Sequence, residues 1–169
     1  MTGSNREVAR IEAGWHELVT LVESLGPDGL TLTGPDGWAV KDHLSHIAAW
    51  EQSLIALVEK GDLVEAMGLR EPTGDMDAIN HSLWELHRIQ TPDEALAYFG
   101  DTHTRLMQAI KKLTDADLEL SYNYYQPHAP REAADDRPVR DWVAGDTYEH
   151  YAEHTGWMNQ LIKESSAAR

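Results

Sequence analysis

Apolar residues recur at intervals of three and four along four long stretches of this chain, and no stretch alternates apolar and polar residues for long enough to make a strand. The first, SNREVARIEAGWHELVTLVESLG, opens with Ser4 and Glu7 at capping-box spacing. It carries Val8, Ile11, Trp15, Leu18, Val19 and Val22 at helical intervals and closes at Gly26-Pro27. After a Gly/Pro-rich loop the second, AVKDHLSHIAAWEQSLIALVEKG, stops at Gly61. An irregular connection, residues 62–74, and a shorter helical pattern from Asp75 to Gln90 follow. The third long stretch has Thr91 as N-cap, Pro92 at the first helical position and Glu94 completing a capping box. A polar, tyrosine-bearing loop, residues 121–137, leads to Pro138 and a last helix ending near Lys163. Amphipathic helices of this length bury their stripes against one another. The expected fold is therefore all-α, a four-helix bundle with a long crossover connection between helices two and three, in a single domain over residues 1–169.

The chemistry open to such a chain is bounded by what it lacks. With no cysteine it can form neither a disulfide framework nor a thiolate nucleophile, and any metal site must use His, Asp or Glu. Asp plus Glu number 29 against 14 Lys plus Arg, a formal charge of -15, which repels phosphate backbones and anionic lipid; the expectation is no nucleic acid and no membrane as partners. The opening MTGSNREVARIEAGW has no apolar signal-peptide core, and no run approaches the roughly 18 apolar residues of a membrane span. A cytoplasmic protein is expected. Six Trp and six Tyr against one Phe supply aromatic bodies with polar handles, suited to cavity walls and interfaces as well as to a core.

Near the end of the chain, EHYAEH places His150 and His154 four residues apart. On a uniform helical wheel they fall within about 40° of each other. The apolar stripe there is centred on Val143, Trp157 and Leu161, so both point into the bundle. Burying two imidazoles on consecutive turns leaves up to about four ring nitrogens to satisfy, at roughly 1–3 kcal/mol for each one missed. A shared divalent cation answers that demand; histidines satisfied within a metal-free core are the alternative. A third ligand is sought on the second helix, in KDHLSHIAAWE. Its apolar arc contains His43 and Glu51, with His46 at the edge, so the wheel alone ranks His43 and Glu51 first. The same HYAEH also spells an inverted zinc-protease signature, but only 15 residues follow His154, too few for the downstream ligand that reading needs.

GWAVKDHLSHIAAWE followed about a hundred residues later by TYEHYAEH resembles the DinB-like superfamily of metal-binding helical bundles, which includes mycothiol-dependent maleylpyruvate isomerase-like and ClbS/DfsB-like members. The resemblance implies a three-histidine metal site made of His46, His150 and His154, and moves His43 to a supporting position or the cavity wall. It also implies a homodimer, in keeping with the Trp-rich helices.

Three neutral imidazoles leave coordination positions open, which marks a catalytic rather than a structural site. Zinc, nickel, iron and manganese all suit that ligand set. The expected function is a metal-dependent small-molecule enzyme, a hydrolase or a transferase using a low-molecular-weight thiol, with a detoxification or stress role; a non-catalytic ligand-binding or dimeric interaction bundle is the alternative. Glu51, a carboxylate interrupting an apolar stripe, is the expected catalytic residue, either orienting a ligating imidazole or accepting a proton; a structural ion pair would explain it equally. The tyrosine-bearing loop is either a lid or a cover for apolar surface. Glu149 and Glu153 are expected on a solvated face.

Overall fold

The computed structural model describes residues 3–70 and 75–167, so the last four residues of the connection expected at 62–74 lie outside the described residues. Helix α1 spans Gly3–Gly29, α2 Val40–Glu59, α3 Leu63–Ala66, α4 Met76–His87 and α5 Pro92–Ile110. The single turns α6, Asp115–Glu119, and α7, Tyr122–Tyr125, follow. The chain then continues through α8, Val139–Ala144, a π-helical turn, Gly145–Glu149, and α9, His150–Ala167. Among the described residues there is no named strand, only isolated bridges between Thr33 and Ala39 and between Ser121 and Pro138. No helix there is long and apolar enough to cross a membrane.

The helix boundaries follow local chemistry. The Thr91 hydroxyl accepts from Glu94 N and the Glu94 carboxylate accepts from Thr91 N, with Pro92 in the first turn, as the sequence predicts. Thr114 and Asp117 repeat the device for α6. The start of α1 is different. Its Gly3 and Ser4 amides donate to the Asp115 carboxylate at 3.0 and 2.8 Å, so a side chain from α6 caps α1 instead of the expected Ser4–Glu7 box. At the other end, α1 bends at Gly26, whose φ of 63° is a conformation that glycine adopts without strain.

Helix α2 is the most enclosed element. Its buried residues include Val40, Leu44, Ile47, Leu54 and Leu57, and also the polar Asp42, His43, His46, Glu51 and Ser53. It packs most extensively on α5 and touches α3, α4, α7, α8, α9 and the π turn on its remaining faces. The main core joins α1, α2, α5 and α9 through Ile11, Leu18, Leu44, Ile47, Leu106, Ile110, Tyr151 and Met158, and a smaller cluster of Ala49, Met67 and Leu83 closes the α3–α4 side. Tyr122 and Tyr125 are buried in the main core, and the Tyr122 ring lies tilted against Trp142, centroids 5.1 Å apart. The tyrosine-bearing segment thus covers apolar surface.

The π turn interrupts what the sequence presents as one continuous helix. Thr147 departs from helical geometry (φ -124°, ψ -107°), and its hydroxyl donates to Val143 O. A π turn accommodates an extra residue and rotates everything after it relative to a uniform wheel. Tyr151 is accordingly fully buried, whereas Trp157, expected at the stripe centre, is 49% exposed.

Candidate metal centre

Helices α2 and α9 bring His46, His150 and His154 together, with one ring nitrogen of each lying within 4.8 Å of the other two. His150 Nε2 and His154 Nε2 are 3.0 Å apart. On the opposite edge of the His154 ring, Nδ1 meets His43 Nδ1 at 2.8 Å. His46 Nδ1 and His150 Nδ1 are buried with no hydrogen-bond partner. The tryptophans close around them: Trp38 lies 5.3 Å from both His43 and His46, and Trp157 lies 4.7 Å from His154.

Burial keeps these imidazoles neutral. His46 is pushed down to about 2 and His150 to about 4, in each case chiefly by desolvation, with His150, His43 and His87 adding to the effect on His46. His154, 1% exposed, is pushed well down by burial and then by its histidine neighbours, and His43 is lowered by burial as well. A neutral imidazole carries one proton and one lone pair. If His154 donates from Nδ1 to His43 Nδ1, its Nε2 lone pair and that of His150 are both available to a cation. Neutral nitrogens, an unsatisfied His46 Nδ1 and ligands from two helices fit a divalent ion bound at about 2.0–2.1 Å from each nitrogen after small ring rotations.

The histidines lie on a cavity of about 630 Å³, within the size range of small-molecule sites. Trp38, Trp50, Trp157, Met76 and Leu161 give it apolar walls, and His43 lines it beside the triad. Three carboxylates of the last helical segment also line it, Asp146, Glu153 and Glu164; Glu153 is solvent-exposed, as expected, and Asp146 was not foreseen. Asp146, half-buried on the π turn, has its pKa raised to about 7 by burial, partly offset by Arg131. The spacing Asp146, His150, His154 extends the histidine repeat by one turn toward the N-terminus, a signal that was present in the sequence.

Glu51 is not among the residues lining this cavity. It is fully buried, and its Oε1 accepts from Tyr151 OH of α9 and meets His103 Nδ1 of α5 at 3.0 Å. Trp15 of α1 stacks face to face on His103, ring centroids 3.5 Å apart. Burial pushes the Glu51 carboxyl up, opposed by the bonds from His103 and Tyr151. Its partner is thus neither a metal-ligating imidazole nor a Lys or Arg, but a histidine that sequence spacing gave no reason to single out. His103 is buried.

A profile of the DinB superfamily matches residues 10–158, and the chain belongs to that superfamily. Among curated proteins, none matches it. Two solved structures share its fold along nearly their whole length. The colibactin self-resistance protein ClbS, in a crystal structure with dsDNA, has a TM-score of 0.71 at 15% identity and covers 96% of this chain and 97% of its own. The sibling lethal factor precursor DfsB has a TM-score of 0.68 at 16% identity, covering 98% of each. The ClbS complex corrects one expectation: a charge of -15 does not rule out nucleic acid as a partner. Net charge sums over the whole surface, whereas duplex DNA meets one local face, and a protein of this fold holds dsDNA.

Two outcomes follow from the geometry. Glu51→Leu strands the Tyr151 hydroxyl and His103 Nδ1 in the core and should cost about 1–3 kcal/mol in chemical denaturation, while Glu51→Gln, which keeps an acceptor oxygen, should cost far less; equal costs would show that the hydrogen bonds contribute nothing. The second concerns pH. The unfolded chain binds protons on its histidines near the usual pKa of about 6.5, whereas folded His150 stays neutral down to about 4. The unfolded state therefore holds more protons across that window, and the metal-free protein loses stability as pH falls through it. His150→Gln should show a shallower decline between pH 7 and 5 than the parent, and an unchanged slope would contradict the neutral, buried assignment.

Proposed function

We propose that this chain is a metal-dependent enzyme acting on a small molecule, with His46, His150 and His154 holding one divalent cation at the wall of the tryptophan-lined cavity. The observation that carries the reading is the convergence of three neutral imidazoles from two helices on a cavity of small-molecule size. Zinc, nickel, iron and manganese remain compatible with the donor set. When bound, such an ion supplies a Lewis acid and lowers the pKa of a nucleophile.

The remaining steps belong to the chain itself. Trp38, Trp50 and Trp157 take up the apolar part of a substrate and exclude water from its reactive end. His43 fixes the ring of His154 through the 2.8 Å contact, so that Nε2 faces the other ligands. Asp146, with a pKa near neutrality, holds or releases a proton beside the bound substrate. Glu51 acts from a distance as a positioning residue, tying α2 to α9 and α5 through Tyr151 and His103. Hydrolysis and transfer of a low-molecular-weight thiol both suit this arrangement, and the absence of cysteine from the chain is in keeping with a thiol brought from outside. A self-resistance role for ClbS, a protein of the same fold, is in keeping with detoxification.

Untagged protein should take up about one divalent ion per chain, and His46→Ala or His150→Ala should each abolish uptake. Turnover of an activated ester should disappear with chelator if the reaction is hydrolysis, whereas consumption of an electrophile only when a thiol is supplied marks transfer. A chain that takes up none of the four metals contradicts the proposal.

A second reading, that the chain engages duplex DNA, is favoured by one observation, the DNA complex of ClbS. In a gel-shift titration with a short duplex, retention that weakens steeply with added salt supports it, and no retention at low salt sets it aside.

A further inference from the structure

The charged groups around the cavity are all of one sign. Asp36, Glu153 and Glu164 line it, together with Asp146 in its ionised form, and among the described lining residues there is no Lys or Arg. The histidines cannot balance them, because burial holds them in the neutral form. Arg131 acts on Asp146 from outside the lining, and its guanidinium is already stacked over Trp142 and Tyr122. A divalent cation on the triad would leave the lining still negative. The carboxylates are only partly engaged within the protein: Asp36 accepts from Trp38 N at 3.0 Å and Glu164 from Gln160 Nε2 at 2.9 Å.

Three indole rings share this lining. An indole face attracts a cation through its quadrupole, most strongly where water is displaced. A field of carboxylates raises the local concentration of cations and repels anions. Independently of the acids, His46 is 6% exposed, lines the cavity and has an unpartnered Nδ1, a buried polar atom that the ion of the proposed function takes up in the loaded protein and that is open to another ligand in the metal-free one.

We propose that this cavity selects a small molecule bearing a positive charge on an apolar body, an alkyl- or arylammonium compound, and turns away anionic ones. The inference rests on the reading of the cavity as the substrate site and names the class of substrate it takes. The ammonium group sits against the indole faces within reach of Asp146 and Glu153, and the apolar body packs against the tryptophans. A polycarboxylate thiol such as glutathione fits this field poorly, so a thiol co-substrate would be a neutral one.

The test uses three probes of similar size on the full chain, metal-free and zinc-loaded: phenyltrimethylammonium, the uncharged tert-butylbenzene and the anionic benzenesulfonate. Binding is followed by tryptophan fluorescence and calorimetry. The cation should bind about tenfold more tightly than its neutral isostere, with no saturable binding of the anion. Asp146→Asn combined with Glu153→Gln should remove most of the cation's advantage and leave the neutral probe unaffected. Trp157→Ala, at a half-exposed position, should weaken cation and neutral probe alike. Anion binding as tight as cation binding, or no binding of the cation in either form, overturns the proposal. Cation preference in a chain that takes up no metal upholds it and defeats the metal reading, whereas metal uptake without cation preference does the reverse.

Discussion

A helix enclosed on nearly every face must find a partner for each polar atom it carries, and α2 carries Asp42, His43, His46, Glu51 and Ser53 into the interior. The surrounding elements are arranged around that demand. Asp42 is satisfied locally by Ala39 N and Lys41 Nζ. Glu51 Oε1 is bonded by Tyr151 and His103, which ties α9 and α5 to it. His43 is satisfied by His154. Two buried atoms of α2 keep no partner, Glu51 Oε2 inside the core and His46 Nδ1, which lies where two further histidines and a cavity meet. Of these two only His46 lines the cavity, and it marks the position of the site.

The same helix separates two polar centres of different kinds. The Glu51–His103–Tyr151 group is closed, stacked under Trp15 and without a place among the cavity walls. The histidine group is open on one side to about 630 Å³. A closed network of buried hydrogen bonds rigidifies the elements that make it, and here those elements include both helices that carry the cavity's histidines. Tyr151 is the direct neighbour in sequence of His150, so the bond that anchors Tyr151 to Glu51 also fixes the turn from which His150 projects.

Much of this was legible in the sequence because it depends on local pattern. The helical period of the four long stretches, the Thr91–Pro92–Glu94 start of α5 and the i, i+4 pair His150 and His154 each follow from spacing alone. What was not legible depends on events a uniform wheel cannot represent. The wheel ranked His43 above His46, and both line the cavity, His43 as the partner of His154 and His46 among the converging nitrogens. The π turn at Gly145–Glu149 changes the register of the last helix, which sets Trp157 on the cavity wall and Tyr151 in the core. Likewise Asp115 capping α1, and His103 meeting Glu51, join residues distant in sequence. Net charge misled in another way, since a sum over the surface says little about any one face.

The central claim is that His46, His150 and His154 hold a single ion between α2 and α9. Crystals of zinc-loaded protein, measured on either side of the zinc absorption edge, test it most directly. An anomalous peak about 2.0–2.1 Å from one nitrogen of each of the three histidines is expected, with His43 still bonded to the far side of the His154 ring. A peak ligated without His46, or zinc bound only at surface carboxylates while the three imidazoles keep their contacts with one another, would contradict it.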